Sequence, residues 1–288
     1  MTAILINGHA ISTTVRKEVE TSAVKFLHTY KIKPGLAIVI VGDNPSSQAY
    51  VNIKLKRCAE IGIHAELVQF ETDEKLDVII KVIDNLNCRK DIHGIIIQLP
   101  LPGNLNANTL IDRISPEKDV DGLHLANIGA LHSNRAGIIP CTPKGILTLL
   151  KTLPVSLSGK SAVVIGRSLI VGKPMAALLL QENCTVTHIH SYSENWEKFT
   201  KEADIIVIAA GIPKLLHAHH IKEGAVVIDV GSTRIINDTG SSVFVGDIDS
   251  GVFQKAGYIT PVPGGVGPMT VAHLLQNTVE AAWKQQNV

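Results

Sequence analysis

Five short, largely apolar runs limit what this chain of 288 residues can fold into. They fall at residues 36–41, 92–98, 161–165, 204–209 and 225–230. A strand that is apolar on both faces suits the centre of a parallel sheet, because helices cover such a sheet on both sides. Helical patterns stand between the runs, at 47–61, 76–86, 144–151 and 173–182, with further strands expected at 64–70 and 185–190. Strand–helix alternation of this kind predicts an α/β fold with parallel sheets. A passage containing Pro and Gly at 137–143 is the candidate domain boundary. The pattern restarts beyond it, and the second half reads as a Rossmann-type domain.

Composition narrows the function classes. The chain is 45% hydrophobic, enough to bury a sizeable core, and its formal net charge of +1 implies no polyanionic partner. No basic stripe interleaved with aromatics points to nucleic acid. No stretch approaches the roughly 20 apolar residues that span a bilayer, and the N-terminus lacks the pattern of a secretory signal. Cys58, Cys88, Cys141 and Cys184 are widely spaced and form no CxxC, so they read as thiols of a reducing cytoplasm. His217, His219 and His220 cluster without a nearby cysteine or acid pair, so no metal site is expected.

Three places carry chemistry. Ser47, Tyr50 and Lys54 stand at i, i+3 and i+7, on one face of the helix after the first apolar strand. The carboxyl ends of strands are where open α/β sheets bind ligands, and Gln98 ends another strand, with Asp121 in a loop beyond. An amine, an amide, a carboxylate and a phenol thus share one sheet edge. Next, the loop IGRSLIVG, residues 165–172, follows a strand and opens a helix, with Pro174 in the first turn. Its glycines do not form GxGxxG, but a helix N-terminus in this position can hold a pyrophosphate. The following strand runs into Ser191, Tyr192 and Ser193, with no acid at its end to bond a ribose 2′-hydroxyl. Arg167 and Ser191 instead offer donors suited to a 2′-phosphate, which favours NADP over NAD. Last, residues 260–270, TPVPGGVGPMT, form a rigid stretch with little side-chain bulk, expected to lead into a final helix at 271–284.

That last segment resembles the closing signature of the methylenetetrahydrofolate dehydrogenase/cyclohydrolase family. SSQAYVNIKLK at 46–56, GIIIQLPLP at 94–102, KDVDGL at 118–123 and IGRSLIVGKP at 165–174 resemble the same family, in order and across nearly the whole chain. The resemblance implies two α/β domains with an active-site cleft between them. Residues 1–140 plus 270–288 would bind folate, and 141–269 would form the Rossmann-type NADP-binding domain. It implies Lys54 as the catalytic residue, with Gln98 positioning it and a water. Tyr50 would stack on the aminobenzoate ring, and Asp121 would accept hydrogen bonds from the pterin. Pro261, Val262, Pro263, Gly264 and Gly265 would bind substrate; Gly166, Arg167, Ser168, Ser191 and Ser232 would bind the cofactor. At 232 many relatives have isoleucine, so the contact there differs, and His124 also departs from the family pattern.

The implied activity is oxidation of 5,10-methylenetetrahydrofolate with NADP to the methenyl compound, then hydrolysis to 10-formyltetrahydrofolate, by a homodimer. Two alternatives stand beside it. A monofunctional dehydrogenase of the same fold has less need of Lys54. A non-catalytic, dinucleotide-sensing module has no use for Tyr50, Lys54, Gln98 and Asp121 together.

Overall fold

A computed structural model describes residues 2–103, 105–236 and 240–286. Packing divides the chain into two units, Thr13–Cys141 with Val271–Val288, and Met1–Ser12 with Thr142–Thr270. In chain order the elements begin with β1 (Ile4–Leu5), α1 (Gly8–Tyr30), β2 (Gly35–Val41), α2 (Pro45–Glu60), β3 (His64–Phe70), α3 (Leu76–Cys88) and β4 (Gly94–Ile97). Then come α4 (Ala107–Ile111), α5 (Leu125–His132), α6 (Cys141–Lys151), β5 (Ser161–Ile165), α7 (Gly172–Gln181), β6 (Thr185–Ile189), α8 (Glu197–Glu202) and β7 (Ile205–Ile208). The chain closes with β8 (Val226–Asp229), β9 (Thr233–Ile236), β10 (Ser242–Val245), β11 (Tyr258–Ile259) and α9 (Val266–Gln286).

The first unit holds a three-stranded parallel sheet in the order β3-β2-β4. As its central strand, β2 is buried at every residue, which is what its unbroken apolar run requires. Helix α3 lays Ile79, Ile83 and Leu86, spaced at helical period, against Ala37, Val39, Ile95 and Ile97. Each such side chain contributes about 1.5–3 kcal/mol by leaving water. Helix α9 returns to this unit. Asn277 Nδ2 donates to the carbonyls of Val120 (2.9 Å) and Ile139 (3.0 Å), and Trp283 Nε1 donates to Ser22 Oγ at 3.0 Å. Trp283 also meets Phe26 edge-on, with ring centroids 5.3 Å apart.

A six-stranded sheet, β1-β11-β8-β7-β5-β6, parallel throughout, forms the second unit. Strands β7 and β8 are wholly buried. The antiparallel ribbon β9–β10 stands apart from that sheet.

Two sequence expectations are corrected. Residues 1–12 pack with the second unit, not the first, because β1 pairs in parallel with β11 (Ile4↔Tyr258, Leu5↔Ile259). Residues 260–270 are not one loop, because α9 begins at Val266, five residues before the expected start. Pro268 stands in the first turn of α9, where a missing N–H costs nothing. Gly265 serves close packing within the protein: a Cβ on it would fall 2.6 Å from the Pro261 carbonyl oxygen. Helix α1 lies outside the expected elements altogether.

Candidate active site

Helix α2 begins where Asn44 Oδ1 accepts from the N–H groups of Ser46 (3.0 Å) and Ser47 (3.1 Å), with Pro45 at the first position. This cap fixes the helix's start and hence the face on which Ser47, Tyr50 and Lys54 align. Lys54 Nζ donates to Gln98 Oε1 at 2.8 Å, and Gln98 Nε2 donates to the Leu99 carbonyl at 2.7 Å. Gln98 is thereby held at both ends of its amide. Burial pushes the Lys54 ammonium below the ordinary lysine range, against the opposing pull of Asp121 and of the Cys141 and Cys58 thiols. Burial likewise pushes the Cys58 thiol up to about 12. Lys54, Gln98 and Asp121, separated in sequence, are thus brought together. Ser47 Oγ is buried on the same helix face and has no hydrogen-bond partner among the described residues. Tyr50 is 44% exposed, leaving its ring face open to a ligand.

The stretch KDVDGL divides its labour. Lys118 Nζ donates to the carbonyls of Leu86 (3.3 Å), Asn87 (2.8 Å) and Arg89 (2.6 Å), closing the C-terminal end of α3. The buried Asp119 accepts from Gly122 N–H (3.1 Å), His124 N–H (2.7 Å) and Asn127 Nδ2 (2.9 Å). These bonds fix the loop that carries the half-buried Asp121. His124, for which the sequence suggested no role, caps α5: its Nδ1 accepts from Ala126 N–H at 3.0 Å. Cys141 Sγ donates to the Val120 carbonyl at 3.3 Å. The sequence marked neither Asp119 nor Cys141; the only signal for Asp119 was its place two residues before Asp121.

In the second unit, Gly166 follows β5 with φ +108°, and a Cβ there would fall 2.2 Å from the Ala209 carbonyl oxygen. A Cβ on Gly172 would fall 1.9 Å from the Gly166 carbonyl oxygen. Both glycines are therefore required by close backbone packing within the turn that leads from β5 into α7. Its helix end differs from expectation. Ser168 Oγ accepts from the N–H groups of Val171 (3.1 Å) and Gly172 (3.4 Å), so the start of α7 already has an acceptor. His188 Nε2 is bonded to the Gly166 carbonyl at 2.7 Å, tying the turn to β6. Arg167, Ser168, Ser191 and Ser232 are all exposed along the carboxyl ends of the strands. Pro261, Val262, Pro263, Gly264 and Gly265 lie in the turn between β11 and α9 of this unit, with Gly264 at φ +105° and its carbonyl accepting from His9 N–H at 3.2 Å.

Two buried carboxylates, missed by the sequence reading, organise this edge. Asp229 accepts from the N–H groups of Gly231 (2.9 Å), Asp247 (3.0 Å) and Ile248 (3.2 Å). Asp247 Oδ2 accepts from those of Ala210 (2.7 Å) and Gly211 (2.9 Å). Burial raises both; it lifts Asp229 to about 6, with the neighbouring Asp247 adding to the shift. His217, His219 and His220 form a short 3₁₀ turn in which His220 Nδ1 accepts from His217 N–H at 3.2 Å.

Comparisons with known proteins agree with these features. The catalytic domain of tetrahydrofolate dehydrogenase/cyclohydrolase matches residues 6–121, and the NAD(P)-binding domain of the same enzymes matches 140–286. The bifunctional protein FolD of Bacillus thuringiensis (strain Al Hakam) is 47% identical over 282 residues, covering 98% of this chain and 97% of that protein. The crystal structure of the bifunctional enzyme FolD from Campylobacter jejuni, a methylenetetrahydrofolate dehydrogenase/cyclohydrolase, superposes with a TM-score of 0.94 at 41% identity, covering 98% and 99% of the two chains. The Trypanosoma brucei N5,N10-methylenetetrahydrofolate dehydrogenase-cyclohydrolase, solved with NADP cofactor and an inhibitor, superposes with a TM-score of 0.96 at 36% identity over the whole of both chains. With both domain types matched in order and near-complete coverage by its relatives, the chain belongs to the tetrahydrofolate dehydrogenase/cyclohydrolase family.

Proposed function

We propose that this protein oxidises 5,10-methylenetetrahydrofolate to 5,10-methenyltetrahydrofolate with NADP and hydrolyses the product to 10-formyltetrahydrofolate. The Lys54–Gln98 hydrogen bond beside Asp121 carries the reading, because it places a lysine of lowered pKa on an anchored amide. NADP, when bound, supplies the hydride acceptor. Gly166, Arg167, Ser168, Ser191 and Ser232 would hold it along the turn after β5 and the neighbouring strand ends.

The methenyl carbon is cationic, and a cation nearby lowers the pKa of Lys54 further, as burial does already. In the hydrolytic step, water forms a bond to that carbon and its proton passes to the neutral Lys54 amine. The adduct then opens: its hydroxyl gives up its proton to solvent as the carbonyl forms, one carbon–nitrogen bond breaks, and that nitrogen takes the proton held by Lys54, leaving the formyl group on the other nitrogen. Gln98 keeps Nζ directed at the reacting water, and Asp121 accepts hydrogen bonds from the pterin. Tyr50 offers its exposed ring to the aminobenzoate, and Pro261, Val262, Pro263, Gly264 and Gly265 contribute a firm wall to the substrate. We also place the enzyme in the cytoplasm as a homodimer. The ribbon β9–β10 supports the dimer, since Ile236 and Phe244 are 77% and 42% exposed there. Light scattering that gives a monomer mass would overturn it.

Assay of the purified protein tests the reaction. With NADP, methenyl absorbance should appear on adding methylenetetrahydrofolate and then decay to the formyl product. Accumulation without enzymatic decay would leave only the dehydrogenase, and no absorbance change with either NADP or NAD would sink the reading.

A further inference from the structure

We propose that Tyr192 is a specificity-determining residue, which holds the Arg167 guanidinium ready for the 2′-phosphate of NADP. The proposal rests on the cofactor reading above, in which Arg167 meets that phosphate. Sheet register brings the two residues together. Strands β5 and β6 pair in parallel up to Ile165↔Ile189. Arg167 and Ser191 each stand two residues past that pair, and Tyr192 stands one further on.

Both backbones are fixed beyond the last paired residues. Gly166 N–H donates to the Ile189 carbonyl at 2.9 Å, which sets where Arg167 departs. On the other strand, His190 and Ser193 close a turn around Tyr192. Ser193 N–H donates to the His190 carbonyl (2.8 Å), and His190 N–H donates to Ser193 Oγ (3.0 Å). The Tyr192 N–H donates to His190 Nδ1 at 3.2 Å, and the two rings meet at a steep angle, with centroids 6.3 Å apart. The Tyr192 backbone is therefore fixed, and its ring leans on His190, although the residue is 79% exposed.

The Arg167 guanidinium carbon lies over the Tyr192 ring, 5.5 Å from its centroid. That is within the range of cation–π attraction. Among the described residues no carboxylate pairs with the exposed Arg167, so its charge is un-neutralised. A free arginine spends considerable rotamer entropy when it binds an anion. Stacking on the ring orders part of the side chain beforehand, as preorganisation in any binding site does. A carboxylate partner would have cancelled the attraction for phosphate; an aromatic ring does not.

Calorimetry with 2′,5′-ADP and 5′-AMP separates the phosphate from the adenosine. Tyr192→Ala should weaken 2′,5′-ADP roughly two- to fivefold, the size of an exposed cation–π contact. It should leave 5′-AMP unchanged, and Tyr192→Phe should behave as wild type. In an Arg167→Ala background, Tyr192→Ala should have no further effect. Equal weakening of both ligands by Tyr192→Ala would overturn the inference, since the ring would then be acting on the adenine. A full effect that persists without Arg167 would overturn it too, as would no effect of Tyr192→Ala in a protein where Arg167→Ala selectively weakens 2′,5′-ADP. If Arg167→Ala itself fails to distinguish the two ligands, it is the cofactor reading that falls. Unfolding midpoints of the variants confirm that the fold is intact.

Discussion

Lys54 in the first unit and the paired aspartates of the second are buried to contrasting ends. In the first unit Lys54 meets a side chain, its Nζ on Gln98 Oε1, with Asp121 nearby. In the dinucleotide unit side chains hold backbone, as Asp229 and Asp247 gather the N–H groups of Gly231, Asp247, Ile248, Ala210 and Gly211. Burial disfavours the charged form in both, pushing the Lys54 ammonium below its ordinary range on one side and the Asp229 and Asp247 carboxyls above theirs on the other. Replacing Lys54 should therefore cost chemistry, and replacing Asp229 or Asp247 should cost order in the loops whose N–H groups they hold.

Lys54→Met gives the largest expected effect. Loss of a proton acceptor should lower the hydrolytic step about a thousandfold. Dehydrogenase activity should fall much less, because hydride transfer depends mainly on orientation, and the melting temperature should barely move. Full hydrolysis by this variant would erase the contrast between the units.

Asp229 tests the other side through pH. Its folded value of about 6 lies above an ordinary 3.8, so the unfolded chain gives up this proton first as pH rises. Stability from this group is therefore greatest below about pH 4, falls through the window up to about pH 6, and is level beyond, a total of about 3 kcal/mol. Urea unfolding between pH 4 and 7 should show that slope, and Asp229→Asn should remove it while losing the acceptor for Ile248 N–H. A slope unchanged in the variant would assign it to other groups.

Asp121→Ala should weaken folate binding by roughly 1–3 kcal/mol, through pterin donors left unpaired, while dinucleotide affinity stays constant. Equal loss of both ligands would mean that the loop fixed by Asp119 had collapsed. Smallest of the four, Arg167→Ala should raise the KM for NADP about tenfold, the size of one charge-assisted bond, without changing NAD kinetics. A wild-type preference for NAD would overturn that assignment.

Strands were the most legible part of the sequence. The run 161–165 coincides with β5, because an apolar run bounded by turn residues leaves few other structures open, and the strand expected at 64–70 is β3. Helix α1 was not legible, because its buried residues Val15, Val19, Ala23 and Phe26 stand isolated among Thr, Lys and Glu. The ribbon β9–β10 and the strands β1 and β11 are too short to show a period. Within the site, Lys54, Gln98 and Asp121 stood out because their residue types and sheet-edge positions converge. Asp119, Asp229 and Asp247 did not, because their partners are backbone N–H groups, which have no letter in a sequence. Ser168 showed its loop position but not that its hydroxyl takes N–H groups at the start of α7.

The return of α9 sets an order of assembly during synthesis. The strands β2, β3 and β4 have all been made by residue 97. Yet Ser22 bonds Trp283 across 261 positions, the His93 carbonyl bonds Gln285 across 192, and the Val120 carbonyl bonds Asn277 across 157. Contacts this distant along a chain close late and slowly. A ribosome that has just finished the six-stranded sheet has still to deliver the helix that covers Phe26. The unit whose residues are made first is thus completed last, and until then its aromatic core is surface for a chaperone to hold.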